Sequence, residues 1–101
     1  MGDELRVVLV TAPASDAERL ARGLVEADLA ACVGRIDGLR SIYRWKGAIE
    51  TAEEVQLIIK TAAPFEAVRA WVRANHPYEV PEIIELAIAE ADEDYAAWLR
   101  G

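Results

Sequence analysis

Several absences narrow this sequence before any motif is read. Cysteine occurs once, at Cys32. One cysteine cannot close an intrachain disulfide, so a disulfide framework is excluded and a reducing, cytoplasmic location is expected. Histidine also occurs once, at His76. A tight transition-metal site takes several imidazole or thiolate ligands, and one chain offers one of each. Basic charge is scarce: eleven Lys and Arg against eighteen Asp and Glu leave a net charge of −7. Non-specific nucleic-acid binding needs a basic face, so no nucleic-acid partner is expected. No stretch approaches 18 uninterrupted apolar residues, the length that would mark a membrane span. The opening MGDELRVVLV lacks a basic n-region, and Arg6 stands where a myristoylation start needs Ser or Thr.

What is present is a regular alternation of patterns. With 101 residues, 53% of them hydrophobic, the chain suits a single domain over 1–101. Leu5 to Thr11 is β-branched and apolar on both parities, which predicts a strand buried on both faces. Pro13 ends it. Ser15 and Glu18 read as a capping box, and Ala17, Leu20, Ala21, Leu24 and Val25 follow at helical spacing. Ala31 to Ile36 returns to strand composition. Asp37-Gly38 reads either as a hairpin turn or as a bulge within one long strand. Leu39 to Trp45 alternates, and Lys46-Gly47 suits a tight turn. Ile49 to Thr61 is the next strand. Its thirteen residues at ~3.3 Å each span roughly 43 Å, too long for a domain with a radius of gyration of ~13 Å. The arm should therefore project past its own core.

Pro64 opens a second helix carrying Phe65, Val68, Trp71 and Val72 on its apolar stripe. Asn75, His76 and Pro77 stop it, because the residue before a proline avoids helix. Ile83 to Ile88 reads as a last core strand. Asp92 then caps a short helix with Tyr95, Trp98 and Leu99 on one face. The order β-α-β-β-α-β plus a C-terminal helix predicts an α+β, ferredoxin-like fold with a long protruding hairpin. Its helices cover one sheet face only. Strands apolar on both parities then need a cover for the second face, and another subunit is the expected cover.

The fold does not assign a function. A copper chaperone of this fold needs a CxxC pair, and one cysteine excludes it. An RNA-recognition motif needs stacking aromatics in a basic field, and the charge is wrong. An acylphosphatase needs an arginine-bearing phosphate loop after the first strand, whereas TAPASD has no arginine or glycine. Cys32 lies in the apolar run AACV and reads as an inert core thiol, so no nucleophile is evident and an enzyme is not expected. Trp71 and Trp98 read as core. Trp45, near the hairpin tip, reads as a contact to a neighbouring subunit, with a pocket wall as the alternative. In NHPYEVPEI (75 to 83), His76 reads as a helix stop and interface residue, as a pocket ligand, or as a base.

LAACVGRIDGLRSIYRWKGAIE, EVQLIIKT, HPYEVPEIIEL and DYAAWL together resemble the CutA family of divalent-cation tolerance proteins, and the resemblance runs from about Thr11 to Leu99. The resemblance implies a tight homotrimer of ferredoxin-like subunits, with Asp37-Gly38 a bend or bulge and not a hairpin turn, and the long hairpin reaching onto a neighbour. It also implies a role in tolerance to copper and other divalent metals. No tightly bound cofactor follows from it, although Cu or another divalent cation could be held. The family's copper ligands transfer poorly. Where some members have a first-strand cysteine this chain has Val10, and Asn75 replaces the first of two histidines. His76 remains, with Glu82 or Glu79 to supplement it, so weak Cu(II) or Zn(II) binding is expected. The alternative is a PII-like effector sensor, or an enzyme, whose inter-subunit pocket is lined by Trp45, Lys60, His76, Tyr78 and Glu82.

Overall fold

The computed structural model describes residues 4–101; the Met1-Gly2 start lies outside the described residues. The elements run β1 (Arg6–Ala12), α1 (Ala14–Glu26), β2 (Cys32–Trp45), β3 (Ala48–Thr61), α2 (Phe65–Asn75), β4 (Ile84–Ala87) and α3 (Glu93–Arg100). The sheet has the order β2-β3-β1-β4, and each neighbouring pair is antiparallel. This is the ferredoxin-like arrangement that the element order predicts.

Strand alternation sets the core. Val8, Val10 and Ala12 of β1 pair with Ile59, Leu57 and Val55 of β3, so these six share one face. Ala17, Leu20 and Leu24 of α1 and Val68 and Val72 of α2 close over that face. Each fully buried leucine here contributes about 1.5–3 kcal/mol relative to an exposed one. The two helices approach closely because Gly23 has no side chain. A Cβ at that position would lie 2.5 and 2.6 Å from two ring carbons of Trp71.

Both long helices begin differently from the sequence pattern. The capping box at Ser15 does not form. Pro13 is the N-cap, its carbonyl accepts from the amides of Asp16 and Ala17, and Ser15 already lies in the first turn. The Ser15 hydroxyl donates to Asp16 instead, and Glu18 pairs with Arg22 and Arg35. Pro64 likewise precedes α2 as its N-cap rather than standing inside the first turn. At the other end of α1, Asp28 takes the left-handed conformation, φ 60°. The amide of Leu29 bonds the Leu24 carbonyl and that of Asp28 bonds Val25, which completes a Schellman cap.

Asp37-Gly38 is a bulge and not a turn. Pairing shifts from Ile36↔Gln56 to Leu39↔Glu54, with Gly38 at φ 87°. The turn is at Lys46 and Gly47, φ 50° and 84°, between paired Trp45 and Ala48. Two positive φ values are the signature of the tight type I′ hairpin. The hairpin carries the molecule to 45 × 25 × 23 Å, so the arm does project.

Two expectations of burial are corrected. Ile84 to Ala87 forms an edge strand exposed along its whole length, not a core strand. Trp98 is 56% exposed, because Ala96 and Leu99 are the buried positions of α3. Trp98 turns outward and stacks on Tyr95 at 5.7 Å. Trp71 is half-buried against the main core, and Asp92 caps α3 by accepting from the Tyr95 amide, as expected.

Candidate functional site

The bulge determines which side chains meet. Antiparallel partners share a face. Cys32, Gly34 and Ile36 pair with Lys60, Ile58 and Gln56 before the bulge; Leu39, Ser41, Tyr43 and Trp45 pair with Glu54, Ala52, Glu50 and Ala48 after it. The extra residue in β2 changes its parity, so odd-numbered β2 residues join the even-numbered residues of β3 on the side away from the main core. Ser41, Tyr43 and Trp45 thereby share a face with Glu54.

The chain after α2 closes this face into a cleft. Pro77 prevents α2 from continuing, and His76 adopts an extended conformation, φ −84° and ψ 141°. Its imidazole is buried, 8% exposed. Nε2 lies 2.7 Å from the Thr11 carbonyl, and Nδ1 accepts the Tyr78 amide at 3.0 Å. An acceptor at Nδ1 requires the proton on Nε2, which donates to Thr11. His76 thus clips the 76–83 loop to the end of β1 and sets Tyr78 beside it, with ring centroids 4.8 Å apart. Tyr78 then donates its hydroxyl to Glu54 at 2.8 Å.

Glu54 is the unforeseen residue. It is 8% exposed, and its carboxylate accepts from Ser41 Oγ at 2.6 Å and from Tyr78. Among the described residues no Lys, Arg or His forms an ion pair with it. Burial, with the Glu54 carboxylate beside it, pushes the Tyr78 hydroxyl well above the ordinary tyrosine range. The resulting cleft has a volume of about 520 Å³ between the hairpin base and the 77–82 loop. Aromatic rings of Tyr43, Trp45 and Tyr78 line it, together with Glu54, Glu79 and Glu82. Glu82 also accepts from the Gln56 side-chain amide at 3.3 Å. Nothing in the sequence pattern singled out Glu54, which lies in the polar stretch Glu50 to Glu54 of the projecting arm.

The structure brings Trp45, Tyr78 and Glu82 together, with His76 behind them as a clip. Lys60 stands apart. It lies six residues beyond Glu54 on β3, roughly 20 Å along the strand. Its ammonium sits 5.5 Å from the Tyr95 ring centroid, and Tyr95, then Cys32, hold it above its ordinary value against desolvation. One chain therefore does not assemble the five-residue pocket. Both nitrogens of His76 are used, Asn75 donates to the Trp71 carbonyl, and Val10 points into the main core. Among the described residues no three His, Cys, Asp or Glu side chains stand close enough to hold a metal ion.

The fold and cleft define a ferredoxin-like subunit with an extended hairpin and an acidic, aromatic-lined cleft at its base. Residues 6–101 match the family described as CutA1 divalent ion tolerance protein. The divalent-cation tolerance protein CutA of Thermus thermophilus is 47% identical over 96 residues, covering 93% of each chain. The crystal structure of CutA from Xylella fastidiosa superposes with a TM-score of 0.91 at 39% identity, covering 95% of this chain and 94% of that one. The periplasmic divalent cation tolerance protein CutA of Archaeoglobus fulgidus gives a TM-score of 0.88 at 36% identity, covering 94% of each. The chain belongs to the CutA family of divalent-cation tolerance proteins.

Proposed function

We propose that this chain works as a non-enzymatic homotrimer in divalent-cation tolerance, within the cytoplasm. The observation that carries the reading is the uncovered sheet face. Ile84 and Leu86 of β4 are 47% and 49% exposed, and they pair with Leu9 and Val7 on the side away from α1 and α2. A contiguous apolar sheet face of this kind marks a protein–protein contact. A closed three-fold ring of head-to-tail contacts lets a projecting arm reach a neighbour while each open sheet turns inward. The single free cysteine, half-buried, fits a reducing compartment. Direct Cu(II) or Zn(II) binding to the isolated protein is weak on this reading, because His76 has no free nitrogen.

The test is genetic. Cells lacking the protein should tolerate Cu(II) or Zn(II) less well, and the wild-type chain should restore tolerance. Leu86→Glu, which puts a charge on the open face, should not restore it. Full restoration by a Leu86→Glu protein shown to be monomeric would defeat the proposal.

A further inference from the structure

We propose that a two-sided brace at the root of the hairpin arm holds the arm at a fixed angle and so presets it for docking on a neighbouring copy. The docking step rests on the homotrimer proposed above; the brace itself does not. The arm has a weak point. β1 supports β3 only as far as Ala12↔Val55. Regular β2–β3 pairing breaks at the same level, between Ile36↔Gln56 and Leu39↔Glu54. Beyond that level the arm is a two-stranded ribbon, and such a ribbon is marginal by itself. A bulge also bends its strand. The end of the third strand and the bulge coincide at Val55, which makes that level a natural hinge.

Both faces of the hinge are tied. On the helix side, Arg35 donates through Nε and Nη2 to the two carboxylate oxygens of Asp37, each at 2.9 Å, and through Nη1 to Glu18 of α1 at 3.3 Å. Arg22 holds the other Glu18 oxygen at 2.9 Å. A planar fork on one carboxylate fixes orientation as well as distance. The chain of charges therefore runs from the bulge to a helix of the main core. On the open side, Glu54 accepts from Ser41 of β2 through one oxygen and from Tyr78 through the other. Tyr78 belongs to the loop that His76 clips to β1. Glu54, the first β3 residue on the arm side of Val55, is thus fastened both to its partner strand and to the domain. Its buried carboxylate ties the root of the arm. An arm already held in place loses less conformational freedom on docking than a swinging one, so the brace favours assembly through the arm itself. The two sides differ in kind. Glu18, Arg35 and Asp37 are exposed, and salt screens them; Glu54 is buried, and salt screens it much less.

Nitrogen-15 relaxation of the arm amides and the Trp45 indole, in the full-length single-chain state, tests the brace. That state is Leu86→Glu, or the wild type if the wild type is itself a single chain, so failure of the homotrimer leaves this result readable. The arm should show order parameters near the rigid value of ~0.85. Arg35→Gln together with Tyr78→Phe should lower them below ~0.6, while the amides of β1 and α1 stay rigid. Ser41→Ala replaces Tyr78→Phe if that chain does not fold. In the assembled protein, subunit exchange between isotope-labelled and unlabelled copies is followed by native mass spectrometry. The double variant should exchange about tenfold faster, as expected for loss of a charge-assisted hydrogen bond. Arg35→Gln alone should exchange about threefold faster or less, because its ion pairs are exposed. An arm as ordered in the double variant as in its parent overturns the brace. A loosened arm with an unchanged exchange rate overturns the link to docking. If Leu86→Glu stays assembled, the exchange rate alone decides, and an unchanged rate overturns the proposal.

Discussion

Replacing His76 by alanine is the perturbation that best separates a structural imidazole from a ligand. The imidazole satisfies the Thr11 carbonyl, 65 positions away in sequence, and the Tyr78 amide at the start of a proline-bounded loop. Alanine leaves both without a partner. A buried polar group stripped of its partner costs about 1–3 kcal/mol, so the pair predicts a loss of roughly 2–6 kcal/mol. A domain of this size has only ~5–15 kcal/mol in total. At ~4–8 °C per kcal/mol, thermal unfolding should move down by at least 8 °C or so. The assay is urea and thermal denaturation at fixed protein concentration, because assembly makes the midpoint concentration-dependent. His76→Gln offers an amide donor and a carbonyl acceptor, and it should recover part of the loss. The Zn(II) and Cu(II) isotherms should be unchanged in both variants. A His76→Ala protein within 0.5 kcal/mol of wild type (the ordinary scatter of surface substitutions), with metal affinity reduced tenfold, would refute the reasoning and make His76 a ligand.

Three further outcomes follow from the packing and the cleft. Gly23→Ala places a methyl group inside contact distance of Trp71; it should cost about 1–3 kcal/mol in denaturant melts, and Trp71→Leu in the same chain should relieve part of that cost. Asp28→Gly removes the left-handed penalty at the end of α1 and should raise stability by about 0.5–1 kcal/mol, whereas a loss would show that the Asp28 side chain has a role of its own. The folded state holds the Tyr78 proton more tightly than the unfolded chain does. Unfolding therefore releases that proton above pH ~10, and stability should fall as pH rises from there, with no effect below. Phenolate absorbance of wild type against Tyr78→Phe reports it: the two folded proteins should titrate alike near pH ~10, and an additional phenol ionising there in the folded wild type would remove the Glu54–Tyr78 contact from the account.

The architecture was legible because alternation and helical spacing report which side of an element is apolar. The arm was legible because strand length multiplied by rise exceeds the width of the domain. The capping box at Ser15 misled because Pro13 supplies the fixed φ and the free carbonyl that start α1 two residues earlier. Trp98 misled for a geometric reason. Tyr95 and Trp98 are spaced three apart, as are the buried Ala96 and Leu99, and sequence spacing cannot say which of two adjacent rows faces inward. Tyr78, Trp45 and Glu82 were legible as a group because the loop that carries two of them returns beside the hairpin. Lys60 does not join them within one chain, since a shared strand face gives parity but not distance along the strand. Glu54 was invisible among five polar or small residues of the arm. Its burial depends on the Asp37-Gly38 bulge, which aligns Ser41 with it, and on the His76 clip, which delivers the Tyr78 hydroxyl.

Assembly is the claim on which the functional reading depends most. Sedimentation equilibrium of the untagged protein at micromolar concentration measures it directly. The account predicts a single species at about three times the 11.1 kDa chain mass, and a shift toward the single-chain mass for Leu86→Glu. A wild-type protein that sediments at 11.1 kDa would contradict the account, because the apolar open sheet face would then stand in water.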